Sequence, residues 1–189
     1  MYSKQELRKK VTLLLENQKL VPDFTTSCTA LLKLQEYSTS HIIAGYIPFK
    51  TEASPIPFFT SAFNENKMIA FPKINAETMD FYNCNNHTNF EKNIFGIFEP
   101  QNETISDFSK NTLFIVPGLA FTKDGKRMGR GKGYYDKFFA MLFSQFSQSK
   151  YTLIGFCNSM QLVDDIPTNP HDIIMNYIAT EQGIIKCKN

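Results

Sequence analysis

Leu113-Phe114-Ile115-Val116-Pro117-Gly118, followed from residue 127 by Arg127-Met128-Gly129-Arg130-Gly131-Lys132-Gly133-Tyr134-Tyr135-Asp136, decides how this chain is read. The first piece is a short continuous apolar run closed by Pro-Gly, the pattern of a strand buried on both faces. The second is a glycine loop opening into an apolar-periodic segment, Tyr134–Phe146, that reads as a helix. Strand, loop, helix is one unit of a parallel α/β sheet, in which ligands bind at the carboxyl ends of strands.

Working outward, further strands are expected at His41–Ile47, Met68–Phe71, Tyr151–Phe156 and Ile173–Ala179. Pro48 and Pro72 mark where the first two close. Ser3-Lys4-Gln5-Glu6 has the spacing of a capping box, so a helix is expected to Asn17 with Leu7, Val11, Leu14 and Leu15 as its apolar stripe. Pro22-Asp23 opens a second helix through Leu34, and Thr51–Asn64 reads as a third, opposed in its first half by Pro55 and Pro57. The polar, Asn-rich stretch Asn83–Asn93 reads as an exposed loop. With no internal repeat and no dividing linker, the expected architecture is α/β in three layers: a mostly parallel mixed sheet with helices on both faces. It forms a single domain over residues 1–189.

The loop has its own chemistry. Lys123, Lys126, Arg127, Arg130, Lys132 and Lys137 stand against Asp124 and Asp136, a local excess of four positive charges in a chain whose net charge is only +2. A near-neutral chain creates little long-range field, which argues against nonspecific nucleic-acid binding and for a small anionic ligand. Glycines at 129, 131 and 133 let backbone N–H groups approach such a ligand, interleaved cations neutralise it, and the following helix directs its positive end at the same point. No hydroxyl follows Lys132, so this is not a Walker-type P-loop. Asp136, one turn into the helix, is the better candidate for a metal ligand. A flexible surface turn with solvated charges is the alternative on these residues alone.

The four cysteines (Cys28, Cys84, Cys157, Cys187) show neither zinc-ligand nor disulfide-framework spacing, and His41, His87 and His171 form no metal motif. The first residues are polar, and no run approaches the ~18 apolar residues a membrane span needs. A cytoplasmic monomer with no membrane and no nucleic-acid partner is expected.

Taken together, Val116-Pro117-Gly118-Leu119-Ala120-Phe121, Gly125, Arg127, Gly129 and Gly131–Asp136 closely resemble the 5-formyltetrahydrofolate cyclo-ligase family. Lys4, Arg8, Glu52, Phe71-Pro72, Gly96-Ile97, Glu99-Pro100, Gly155-Phe156, Gln161-Leu162, Pro167, His171-Asp172 and Thr180-Glu181 extend the likeness along the chain. The resemblance implies an enzyme that closes 5-formyltetrahydrofolate into 5,10-methenyltetrahydrofolate with ATP as co-substrate and Mg2+ as cofactor. It implies ATP contacts from Lys4, Arg8, Arg127, Gly129, Arg130, Gly131, Lys132, Gly133, Tyr134 and Tyr135. It implies folate contacts from Ile47, Glu52, Arg130, Gly131, Lys132, Gly133 and Tyr134. Arg130 and Lys132 are assigned to the transferring phosphoryl group, and Asp136 and Asp172 to the metal. One departure stands out: many members carry an acid where this chain has Asn176. Outside this family the alternatives are an RNA-binding module using Gly, Arg and Tyr and another α/β enzyme such as a sugar-phosphate isomerase or acyl-CoA transferase; within it, Asn176 makes a non-catalytic paralogue a third.

Overall fold

The computed structural model describes residues 2–101, 103–169 and 172–188. Helix α1 (Lys4–Glu16) begins as its sequence dictates. Ser3 Oγ accepts the Glu6 N–H at 3.2 Å, and Glu6 Oε2 accepts the Ser3 N–H at 2.8 Å. Two first-turn donors that have no helical partner are thereby satisfied. Leu7, Val11 and Leu15 are buried, but Leu14 is 45% exposed and lies off the buried stripe. The expected second helix is two: α2 (Thr25–Leu32) and α3 (Gln35–Thr39). Asp23 Oδ1 takes the Thr25 N–H, so the chain turns on an Asx cap before α2 starts, and extended backbone at Leu34 (ψ 140°) breaks the run.

Strand β1 keeps only Ile42–Ala44 of the apolar run 41–47. Helix α4 (Ile56–Asn64) starts after Pro55 and keeps Pro57 in its first turn, where a missing N–H costs nothing; residues 51–55 are not helical. Strand β2 (Met68–Asn75) runs straight through Pro72 instead of ending there. It pairs antiparallel with β3 (Thr78–Cys84), Pro72 opposite Phe81, whose carbonyl accepts the Ser106 N–H on its far side. Pro72 therefore sits at a position whose N–H points away from β3, past the end of β1, and no ladder bond is lost. The segment 83–93 is likewise not a loop throughout: it holds the end of β3 and then β4 (Asn89–Lys92), which forms a ribbon with β5 (Phe98–Gln101). Phe90 alone in β4 is apolar and half-buried, so no period-two signal was there to read.

The remaining elements are β6 (Thr112–Val116), β7 (Ala120–Phe121), β8 (Arg127–Met128), α5 (Tyr134–Gln145), β9 (Tyr151–Phe156), β10 (Tyr177–Thr180) and β11 (Gly183–Lys186). β10 starts four residues later than expected, because 173–176 run along the β7–β8 ribbon, with Met175 N–H donating to Gly125 O. The sheet order is β11-β10-β9-β6-β1-β2-β3, its five central strands parallel and its edges antiparallel.

Alternation along the central strands builds a core on each face. Ile42, Ala44, Phe114 and Val116 point at α5, through Phe138, Phe139 and Leu142; Ile43, Leu113 and Ile115 point at α2 and α4, through Leu31, Phe58 and Phe59. Fully buried Phe114 packs edge-on or tilted against Phe81, Phe108, Phe138, Phe139 and Tyr151, each ring pair contributing ~0.5–1.5 kcal/mol beyond area burial. This aromatic cluster fixes α5, and so the start of α5, above the sheet. A third, smaller core joins α1 to Leu119, Ala120, Met128 and Ile166, which sets the first turn of α1 beside the glycine loop. Among the described residues no helix is long and apolar enough to cross a membrane.

Candidate active site

The carboxyl end of β6, Glu52 from the loop between β1 and α4, the β7–β8 ribbon, the start of α5 and the first turns of α1 surround one cleft of ≈ 330 Å³. The loop shapes it. Gly131 (φ +103°) and Gly133 (φ +72°) hold backbone conformations that side chains with a Cβ rarely adopt. Gly133 is the N-cap of α5 and offers no side-chain cap, so the first N–H groups of the helix keep the electropositive end of its dipole open.

Lys4, Arg8, Arg127, Arg130 and Lys132 line this cleft together with Glu52, Asp136 and Asp172, five cations against three carboxylates. Each carboxylate is held by a cation. Lys4 Nζ donates to Asp172 Oδ2 at 2.8 Å, Arg127 Nη2 to Asp136 Oδ1 at 3.4 Å, and Arg130 Nε to Glu52 Oε1 at 3.3 Å. Arg8 Nε donates to Gly129 O at 3.1 Å, tying the helix directly to the loop. Lys132 is exposed and, among the described residues, enters none of these pairs.

Arg127 is the most buried of the cations. Its guanidinium lies 5.3 Å from the centre of the Tyr135 ring, and its Nε has no hydrogen-bond partner among the described residues. Burial pushes its pKa down, opposed by the charges of Asp136 and Asp172. Burial likewise raises the Glu52 carboxyl above the usual range, against the pull of Arg130 and of the Phe49 N–H, which donates to Glu52 Oε2 at 3.1 Å. Burial also raises the Tyr135 hydroxyl, which therefore stays protonated. At Asp172 partial burial is outweighed by hydrogen bonds from Lys4 and from the Asn169 N–H, and its pKa is lowered.

The cleft thus gathers every expected contact residue except Ile47, which is half-buried against the core on the α2/α4 side and outside the lining. Asn169 joins the cleft unforeseen; its place three residues before Asp172, whose N–H donates to Asn169 O, was the available sign. His171 lies outside the described residues, and His41 is exposed at the opposite, amino end of β1. Asn176 is not in the lining either: its Oδ1 accepts the Leu153 N–H at 2.7 Å and so extends the β9–β10 pairing. Among the described residues no three His, Cys, Asp or Glu side chains converge. Asp136 and Asp172 are therefore suited to a hard cation that takes most of its oxygens from elsewhere, as magnesium on a polyphosphate does.

The sequence model of the 5-formyltetrahydrofolate cyclo-ligase family matches residues 1–181. The 5-formyltetrahydrofolate cyclo-ligase of Haemophilus influenzae is 29% identical over 147 residues, covering 75% of this chain and 76% of its own length. The solution structure of 5,10-methenyltetrahydrofolate synthetase from Aquifex aeolicus is 27% identical and superposes with a TM-score of 0.80, over 98% of this chain and 93% of that one. A 5,10-methenyltetrahydrofolate synthetase from Mycoplasma pneumoniae, 21% identical, shares the fold at a TM-score of 0.69 over 95% and 99% of the two chains. With the family match running from the first residue into the β10–β11 turn, and the cleft residues falling within it, this chain belongs to the 5-formyltetrahydrofolate cyclo-ligase family.

Proposed function

We propose that this chain catalyses the ATP-dependent cyclisation of 5-formyltetrahydrofolate to 5,10-methenyltetrahydrofolate, releasing ADP and phosphate. The observation that carries the reading is the convergence of Lys4 and Arg8, Glu52, and the loop 127–136 on one cleft, from three segments far apart in the chain. A simple anion site would need only the loop. A carboxylate held opposite the cations adds the recognition of a second, hydrogen-bond-donating substrate.

ATP is required because a formamide carbonyl is a poor electrophile and its oxygen a poor leaving group. The formyl oxygen attacks the γ-phosphorus, the bond to the bridging oxygen breaks, and ADP leaves. N10 then attacks the activated formyl carbon, loses its proton, and the C–O bond breaks with departure of phosphate. The protein's part is positioning and charge stabilisation. Lys4, Arg8 and Arg127 hold the nucleotide phosphates, with backbone N–H groups of the 129–133 loop and the start of α5. Arg130 and Lys132 meet the transferring phosphoryl group, where charge develops. Glu52 accepts hydrogen bonds from the pterin and orients it, Tyr134 and Tyr135 form the aromatic wall, and Ile47 contributes from behind the cleft. Magnesium, when bound by Asp136 and Asp172, neutralises phosphate charge. The enzyme works as a cytoplasmic monomer on small molecules.

Purified protein with Mg-ATP and 5-formyltetrahydrofolate is expected to generate the methenyl chromophore; no absorbance change at any magnesium concentration rejects the activity. Asp136→Asn is expected to raise the magnesium concentration needed for half-maximal rate. An unchanged titration removes Asp136 from the metal site.

A further inference from the structure

The three ion pairs across the cleft are not equivalent. Under the proposed function, one ligand would relieve two of them: a magnesium nucleotide would offer phosphate oxygens to Lys4 and Arg127, and Asp172 and Asp136 would be the residues to hold its cation. The third cannot be relieved this way. The phosphates of a nucleotide can take Arg130, yet they offer no proton donor to Glu52. Glu52 has a side chain only 18% exposed and is held by Arg130 and the Phe49 N–H. Taking Arg130 away would leave a desolvated carboxylate with a single donor, which is unfavourable. The ring N–H groups of a reduced pterin are the donors that make the exchange favourable.

Resting on the function proposed above, we infer that Glu52 is a specificity-determining residue for the phosphoryl acceptor: it holds Arg130 off the nucleotide until a reduced pterin takes over its carboxylate. The γ-phosphoryl group then meets Arg130 only when a formyl oxygen is in place, and transfer to water is suppressed. The contact has the geometry of a latch. It is one N–O contact of 3.3 Å, not a two-pronged fork, and the Arg130 side chain is 44% exposed, so it exchanges readily. The two pairing residues lie 78 positions apart, on separate loops that both line the cleft. Because linkage is reciprocal, the folate must raise the affinity for the nucleotide by the factor by which the nucleotide raises the affinity for the folate.

Calorimetric binding of a non-hydrolysable ATP analogue with magnesium tests this. Without folate, Glu52→Gln keeps the side chain's shape but frees Arg130, and is expected to bind the analogue about fivefold tighter than wild type. In an Arg130→Gln background the same substitution is expected to change nothing. Wild type should bind the analogue tighter, by a similar factor, when tetrahydrofolate lacking the formyl group is present. Unchanged or weaker binding by folded Glu52→Gln overturns the inference, as does a gain that persists without Arg130. Should Glu52→Gln not fold, the wild-type measurement decides alone, and absence of folate-linked tightening overturns it. Cyclisation by wild type is followed in parallel. No methenyl product means the proposed function itself fails; normal turnover without linkage removes only the latch.

Discussion

Lys132→Ala is expected to lower kcat by about 10²–10³, about 2.7–4 kcal/mol of transition-state stabilisation, with the fold intact. Lys132 is exposed at the cleft rim and packs into no core cluster, so its removal should change stability by no more than ~0.5 kcal/mol. It differs from Lys4, Arg127 and Arg130 in having, among the described residues, no carboxylate to leave. Its ammonium group is therefore available for charge that appears only as the phosphoryl group moves. A ground-state binder would show itself as a raised KM for ATP with kcat kept, and that outcome would reassign Lys132 to nucleotide binding. Lys132→Arg is expected to restore only part of the rate, because a planar guanidinium presents its donors differently from a compact ammonium. Normal turnover by Lys132→Ala would falsify its assignment to the transfer step.

The loop around Lys132 was legible because its signal is local. Glycines alternating with cations, after a buried strand and before an amphipathic helix, sit within a few residues of one another. The capping box of α1 and the central strands were readable for the same reason: each is a short pattern confined to neighbouring residues. The pairings that organise the cleft were not. Lys4 meets Asp172 across 168 positions and Arg130 meets Glu52 across 78, and nothing near any of these residues specifies its partner. The resemblance supplied the residues without their contacts. It also marked Asn176 as a departure without showing that its side-chain oxygen accepts the Leu153 N–H. The edges of the sheet were hidden for another reason. β3, the β4–β5 ribbon and β11 are held by antiparallel partners while much of their surface stays wet, so they lack the continuous apolar run that betrays a central strand. Pro72 misled because a proline ends a strand only where its N–H is needed.

Arg127→Met is expected to separate stability from function. A guanidinium with a side chain 4% exposed and, among the described residues, one long contact to Asp136 and an Nε without a partner is a poor contributor to folding. Removing one partner of a buried ion pair is costly when the other charge stays buried, but Asp136 is 41% exposed and can be hydrated once Arg127 is gone, so the desolvation penalty of the guanidinium is relieved without stranding a charge. The methionine can also occupy the space over the Tyr135 ring, where a sulfur contact is favourable. The melting temperature should therefore hold or rise. Activity should not. Retaining an incompletely satisfied cation at the floor of a cleft makes physical sense if an anion completes its hydrogen bonds, and the phosphates of ATP are that anion under the proposed function. Losing this donor should lower kcat/KM for ATP by about 10²-fold, as removal of a preorganised charge-stabilising group commonly does. Thermal melts and initial rates on the same preparation check both halves. If Arg127→Met unfolds and loses activity in step, Arg127 is a structural residue. If it stays folded and turns over ATP normally, the nucleotide does not reach the floor of the cleft.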